Sequence, residues 1–154
     1  MSQPDSAEAR RRAGLEAWCA FFTRFPEVAP EGADALVSDD VRFVDPFNDL
    51  RGKAALRALV AHTLKTVREP RFTVTHKALD GDLGLIRWTF EGRIPVLGHW
   101  AITGMSEVHL NDQGQVTAHI DHWDASQHFH GRLPGLGLLI RRLNKAAGVR
   151  QPAR

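Results

Sequence analysis

The chain has 154 residues, a formal net charge of +2, and 43% hydrophobic and 25% charged residues, the composition of one ordinary globular domain. Its one cysteine, Cys19, excludes an internal disulfide, and no apolar run approaches the ~18 residues of a membrane-spanning helix. Residues 131–154 hold six basic and no acidic side chains, while the other 130 residues hold 14 basic and 18 acidic ones. The basic character therefore belongs to the tail, which argues against a nucleic-acid-binding domain. The N-terminus has no apolar segment like that of a secretory signal. With the lack of disulfides, this predicts a cytoplasmic protein.

Residues 1–10 are expected to be a flexible N-terminus leading into a helix over 6–25. Leu15, Trp18, Cys19 and Phe22 recur at i, i+3, i+4 and i+7 on one face, Ser6 is placed to cap it, and Pro26 stops it. "GADALVSDD" predicts a short second helix. "VRFVD" predicts a strand ended by Pro46. A third helix follows over Lys53–Arg68, with Leu56, Leu59, Val60, Leu64 and Val67 on one face. The pattern then changes to period two. Strands are expected at 71–79, 83–92, 99–110 and 115–124, joined by "DGD", "GRIPVLG" and "NDQG". Helices followed by a meander give an α+β plan with an antiparallel sheet. After Pro134 the tail predicts an amphipathic helix striped by Leu136, Leu139, Ile140 and Leu143.

Asp45 has two readings from chemistry alone. Asp-Pro is a common strand-ending turn, but a carboxylate among apolar neighbours also suits a general base. Asp121 sits mid-strand, where aspartate is disfavoured and usually has a partner or a task. Alternation places His119, Asp121 and Trp123 on one face and Arg87 with Thr89 on one face of an earlier strand. An Arg87–Asp121 pair is thus expected, either orienting a water or substrate oxygen or closing the sheet as a structural salt bridge. The histidines of "HIDHWDASQHFH" lack the two-histidine spacings of zinc sites, and no metal is expected. The aromatics, Phe22, Trp88 and Trp123 among them, are core residues some of which must line an apolar cavity. The tail helix either covers the cavity mouth or a second subunit, or lies weakly on an anionic membrane.

The order of helix, short helix, strand ending in Asp-Pro, helix and meander resembles the nuclear transport factor 2-like superfamily. More narrowly it resembles its SnoaL-like and ketosteroid-isomerase-like branch, over residues 10–130. "LVSDDVRFVDPFNDLRGKAALRALV" matches the frame that carries the catalytic base of ketosteroid isomerases, with Asp45 at that position. "GQVTAHIDHWD" resembles the last strand of limonene epoxide hydrolases, with Asp121 matching an aspartate and Arg87 the arginine that works with it. Departures are visible. The chain contains no tyrosine, whereas the isomerase oxyanion hole uses one with a protonated aspartate. Ser106 falls at that aspartate's position, and Thr89 replaces the second hydrolase aspartate.

The resemblance implies a strongly curved antiparallel sheet forming a cone at 11–130, with the N-terminal helices packed across it, followed by the helix and tail at 131–154. It implies a homodimer and a cofactor-independent enzyme acting on a hydrophobic, cyclic or lipid-derived molecule. Proton abstraction or water addition would use Asp45, Arg87 and Asp121, with Phe22, Trp88, Ser106, His119 and Trp123 binding the substrate. The alternative is a module of the same fold that binds a hydrophobic ligand or a partner without chemistry.

Overall fold

The computed structural model describes residues 6–149. Helix α1 spans Ala7–Thr23, and the Ser6 hydroxyl caps it by accepting from the Ala9 amide at 3.2 Å. The expected flexible N-terminus is therefore divided: residues 1–5 lie outside the described residues, and Ala7–Arg10 form the first turn of α1. The short helix expected over 32–40 is not formed: a single 3-10 turn, Pro30–Ala33, lies there, and Val37–Asp40 belong to the first strand. Strand β1 (Val37–Asp45) turns at Pro46 into a short strand, β2 (Asn48–Arg51). Helix α2 (Lys53–Thr66) follows, then β3 (Arg68–Asp80), β4 (Leu83–Ile94), β5 (Gly98–Leu110) and β6 (Val116–His122). The chain closes with a short α3 (Ala125–His128), a 3-10 turn (His130–Arg132) and α4 (Leu136–Ala147).

The six strands form one curved sheet, in the order β2-β1-β6-β5-β4-β3, that does not close into a barrel. Four neighbouring pairs are antiparallel, but β1 runs parallel to β6. That pairing brings the first strand back beside the last one, so the Asp-Pro turn and the end of β6 meet at one end of the sheet.

The inner face buries Ile86, Trp88, Trp100, Ile102 and Val108. Helices α1 and α2 cover it with Leu15, Trp18, Phe21, Leu56 and Val60. Docking of α1 depends on two glycines. A Cβ on Gly14 would lie 1.8 Å from the carbonyl oxygen of Gly114, and Gly114 itself has φ +79°. Only glycine permits that approach and that backbone conformation. Nearby, Arg10 donates to the Asp112 carbonyl at 2.6 Å and Arg11 pairs with the Asp112 carboxylate at 2.5 Å. These contacts fix the helix against the β5–β6 hairpin.

Candidate active site

The site is assembled from the inner face. Ile86, Ser106 and Asp121 are register partners across β4, β5 and β6. Cross-strand partners share a face, so the buried Ile86 and Ser106 carry Asp121 to the inside. The next row is Arg87, Met105 and His122, and it faces outward because side chains alternate along a strand. Arg87 is exposed, with its guanidinium 3.3 Å from the Thr75 hydroxyl. The expected Arg87–Asp121 pair is therefore not formed: the two residues point to opposite faces of the sheet. The expectation assigned the right alternation to β4 but the wrong face.

Asp121 has a different set of partners. Its Oδ1 accepts from the Ser106 hydroxyl at 2.5 Å and lies 2.7 Å from Nε2 of His119. Behind them stand two tryptophans. The Trp88 indole donates to Ser106 Oγ at 2.7 Å, and the Trp18 indole donates to His119 Nδ1 at 2.9 Å. An indole N–H can only donate, so Nδ1 of His119 must accept and the ring proton resides on Nε2, directed at Asp121. Ser106 and His119 are each 1% exposed. His119 is also enclosed by rings, stacked on Phe43 at 5.0 Å and beside Trp18 and Phe22. Two buried donors thus converge on one oxygen of Asp121. Its Oδ2 has no hydrogen-bond partner among the described residues, and Asp121 lines the cavity in front of it.

That cavity has a volume of about 420 Å³. Phe22, Phe72, Trp88, Phe90, Trp100 and Trp123 line it, with Phe47 and Phe129 in ring contact at 5.1 Å. Asp45 and Asp121 contribute carboxylates, and among the described residues no Lys or Arg lines it. An apolar cavity with few polar groups selects a hydrophobic ligand and uses those groups to orient it.

Asp45 also faces this cavity, but its carboxylate is engaged in the turn. Oδ1 accepts from the Phe47 and Asn48 amides at 2.7 and 2.8 Å, and the Asn48 side-chain amide reaches Oδ1 and Oδ2 at 3.0 Å each. Both readings of Asp45 thus apply to its position, while its lone pairs serve the turn. Of the other expected binding residues, Phe22, Trp88 and Trp123 line the cavity. Ser106 and His119 do not; they hold Asp121 from behind.

Apolar periodicity places Trp18 in the core but does not give its hydrogen bond to His119. The available signal was that a buried tryptophan N–H needs an acceptor. Among the described residues, no group of three or more His, Cys, Asp or Glu is arranged to hold a metal ion. No helix among them is long and apolar enough to cross a membrane.

Residues 15–119 match the SnoaL-like domain family, which is more than half of the chain. No curated protein matches. Several solved structures share the fold. A Catenulispora acidiphila protein with a ketosteroid isomerase-like fold, in complex with trimethylamine, superposes with a TM-score of 0.66 at 19% identity, over 78% of this chain and 91% of that one. TsrD of Streptomyces laurentii gives 0.65 at 24%, over 82% and 96%. An LEH-like epoxide hydrolase of M. tuberculosis gives 0.64 at 22%, over 90% and 99%.

Proposed function

The chain belongs to the SnoaL-like domain family, and from that premise we propose that it is a cofactor-independent enzyme in which Asp121 is the general base. Its substrate is a hydrophobic molecule with an acidic C–H beside a carbonyl, held among the cavity aromatics. The observation that carries this reading is the asymmetry of the Asp121 carboxylate. Oδ1 takes two buried donors, while Oδ2 has no hydrogen-bond partner among the described residues and Asp121 lines the cavity. Such an arrangement fixes the carboxylate plane and aims one lone pair at the ligand, which is what proton abstraction requires.

In the proposed step Oδ2 removes the proton, and the carbonyl oxygen of the substrate takes up the developing negative charge. The proton returns from Asp121 to a different carbon or, where the enolate carbon closes a ring onto a second carbonyl of the substrate, to the alkoxide oxygen that the new C–C bond leaves behind. His119 and Ser106 act by positioning: both hydrogen bonds strengthen a carboxylate in one orientation without touching the ligand. Asp45 is then a wall residue whose turn shapes the mouth. Water addition of the epoxide-hydrolase kind fits less well, because Arg87 lies outside the cavity.

A second reading has its own observation. Among the described residues no Lys or Arg lines the cavity to stabilise an oxyanion, so the same fold would serve as a binding module for a hydrophobic ligand. Leu85 and Met105 are exposed on the outer face of the sheet, the face through which pairing of two chains is proposed. The deciding experiment is a screen of cyclic ketones and related enolisable compounds by solvent deuterium incorporation, with wild type and Asp121→Asn side by side. Exchange in the wild type that the variant loses while still binding the compound supports the enzyme. Binding without exchange in both supports the module.

A further inference from the structure

Helix α4 is held to the domain along one side only. Arg141 donates to the Gly131 carbonyl at 2.7 Å, Asn144 reaches the Ser126 hydroxyl at 3.5 Å, and a Cβ on the buried Gly137 would lie 2.3 Å from the Gly131 oxygen. At about 100° per residue, Gly137, Ile140, Arg141 and Asn144 form the side facing the domain. Leu136, Leu139 and Leu143 form a stripe on the outer side, with Arg142 beside Leu139 and with Leu138 and Lys145 further round the helix. Those four leucines are 42%, 54%, 56% and 52% exposed, for Leu136, Leu139, Leu143 and Leu138 in turn. Residues 131–149 contain Arg132, Arg141, Arg142 and Lys145 and no acidic side chain.

We infer that the outer side of α4 docks on an anionic lipid surface. A single exposed leucine is unremarkable, but Leu136, Leu139 and Leu143 on one side of a 12-residue helix form a patch that something covers. The cations decide what covers it. An amphipathic helix with leucines inserted at the headgroup boundary and Lys or Arg beside them matches a negatively charged bilayer in both apolar and charged terms. A second copy of α4 matches poorly. The helix is about 18 Å long, too short to bury the ~1,200 Å² of a stable interface alone, and antiparallel pairing would bring Arg142 and Lys145 against cations of the same kind.

The position of α4 adds a consequence. The 3-10 turn His130–Arg132 joins it to Phe129, which lines the cavity and packs on Phe47 at the mouth. A docked helix thus brings the mouth toward the bilayer, where a hydrophobic ligand partitions. The docking stands independently of the catalytic reading, and only this delivery rests on it.

The test is sedimentation of the full chain with vesicles of phosphatidylcholine alone and of phosphatidylcholine mixed with phosphatidylglycerol. Binding to the mixed vesicles at least about tenfold tighter than to the neutral ones, and weakened by salt, is expected. Leu139→Gln with Leu143→Gln, and separately Arg142→Gln with Lys145→Gln, each reduce it by roughly tenfold or more. All these side chains point away from the domain, so thermal melts by circular dichroism stay at the wild-type temperature. Equal binding to both vesicle types, or no effect of either variant, overturns the proposal. So does a wild-type dimer in light scattering that the leucine variant converts to monomer, which would assign the patch to a second copy.

Discussion

The Trp18 indole donates to Nδ1 of His119 at 2.9 Å, across 101 positions of sequence. This one contact assigns the imidazole proton to Nε2 and so decides that His119 is a donor toward Asp121. A helix residue thereby controls the orientation of a carboxylate on the far strand.

Trp18→Phe preserves a ring in the core and removes only the N–H. Nδ1 then loses its donor, while the Asp121 carboxylate still accepts from Nε2. Nitrogen-15 spectra of the imidazole should keep the Nε2–H form but show a displaced Nδ1 resonance. The loss of one buried hydrogen bond should cost about 1–2 kcal/mol in urea unfolding. If the Nδ1 resonance is unchanged, the indole is not its donor.

Ser106→Ala strands the Trp88 N–H and removes one of the two donors on Asp121. An unsatisfied buried donor costs about 1–3 kcal/mol. Ser106→Thr keeps the hydroxyl and should retain more of any turnover than the alanine variant, though its extra methyl crowds the core. Comparing the two by urea midpoint and turnover separates loss of the bond from loss of packing.

Asp45 and Asp121 should respond differently to the same change. Asp121→Asn is expected to reduce turnover by about 10²–10⁴-fold, the usual worth of a general base, with ligand affinity largely retained. Asp45→Ala removes the acceptor of two turn amides. It should mainly lower stability, by about 1–2 kcal/mol. Equal losses of turnover would return Asp45 to the catalytic step.

Gly104 faces the Trp88 ring, and a Cβ there would approach its Cζ2 and Cη2 to 2.6 Å. Gly104→Ala should push the indole from Ser106 and destabilise the fold by about 1–3 kcal/mol through overpacking. Tryptophan fluorescence would report the displaced ring.

Burial pushes the Cys19 thiol up from 9.0 to about 11. The folded state then holds its proton more tightly than the unfolded state does. Its stabilising contribution is complete below about pH 9 and fades as pH rises through about 11. Unfolding free energy should therefore fall over that alkaline interval, and Cys19→Ala should flatten that part of the profile. In the native protein the thiol should resist disulfide reagents near neutral pH, since little thiolate forms and the side chain is 3% exposed.

Local patterns carried most of the architecture. The 3.6-residue recurrence of Leu15, Trp18, Cys19 and Phe22 is present in the sequence, and it becomes the buried face of α1. Period-two runs became β3 to β6 within a few residues at their ends, because alternation between two faces follows from strand geometry itself. Asp-Pro at 45–46 marked the end of β1. The four-residue β2 was not legible, since "NDLR" has no alternation long enough to register; it exists because β1 supplies its hydrogen-bond partners.

What alternation cannot supply is which face is inside. Arg87 and Trp88 are neighbours, and choosing the wrong member turns the whole strand over. The structure decides it by burying Ile86 and Trp88, whose apolar area leaves water, and by keeping the Arg87 charge solvated. The sequence by itself determined the order of α1, β1, α2 and the strands β3 to β6, the antiparallel meander and the amphipathic tail, all set by neighbours within a few residues. Only the tertiary structure decided that β1 lies parallel to β6, that Asp121 meets Ser106 and His119 instead of Arg87, and that Trp18 stands behind them. The Ser106–Asp121 and Trp18–His119 contacts join residues 15 and 101 positions apart, and they are fixed by how helix and sheet share one core.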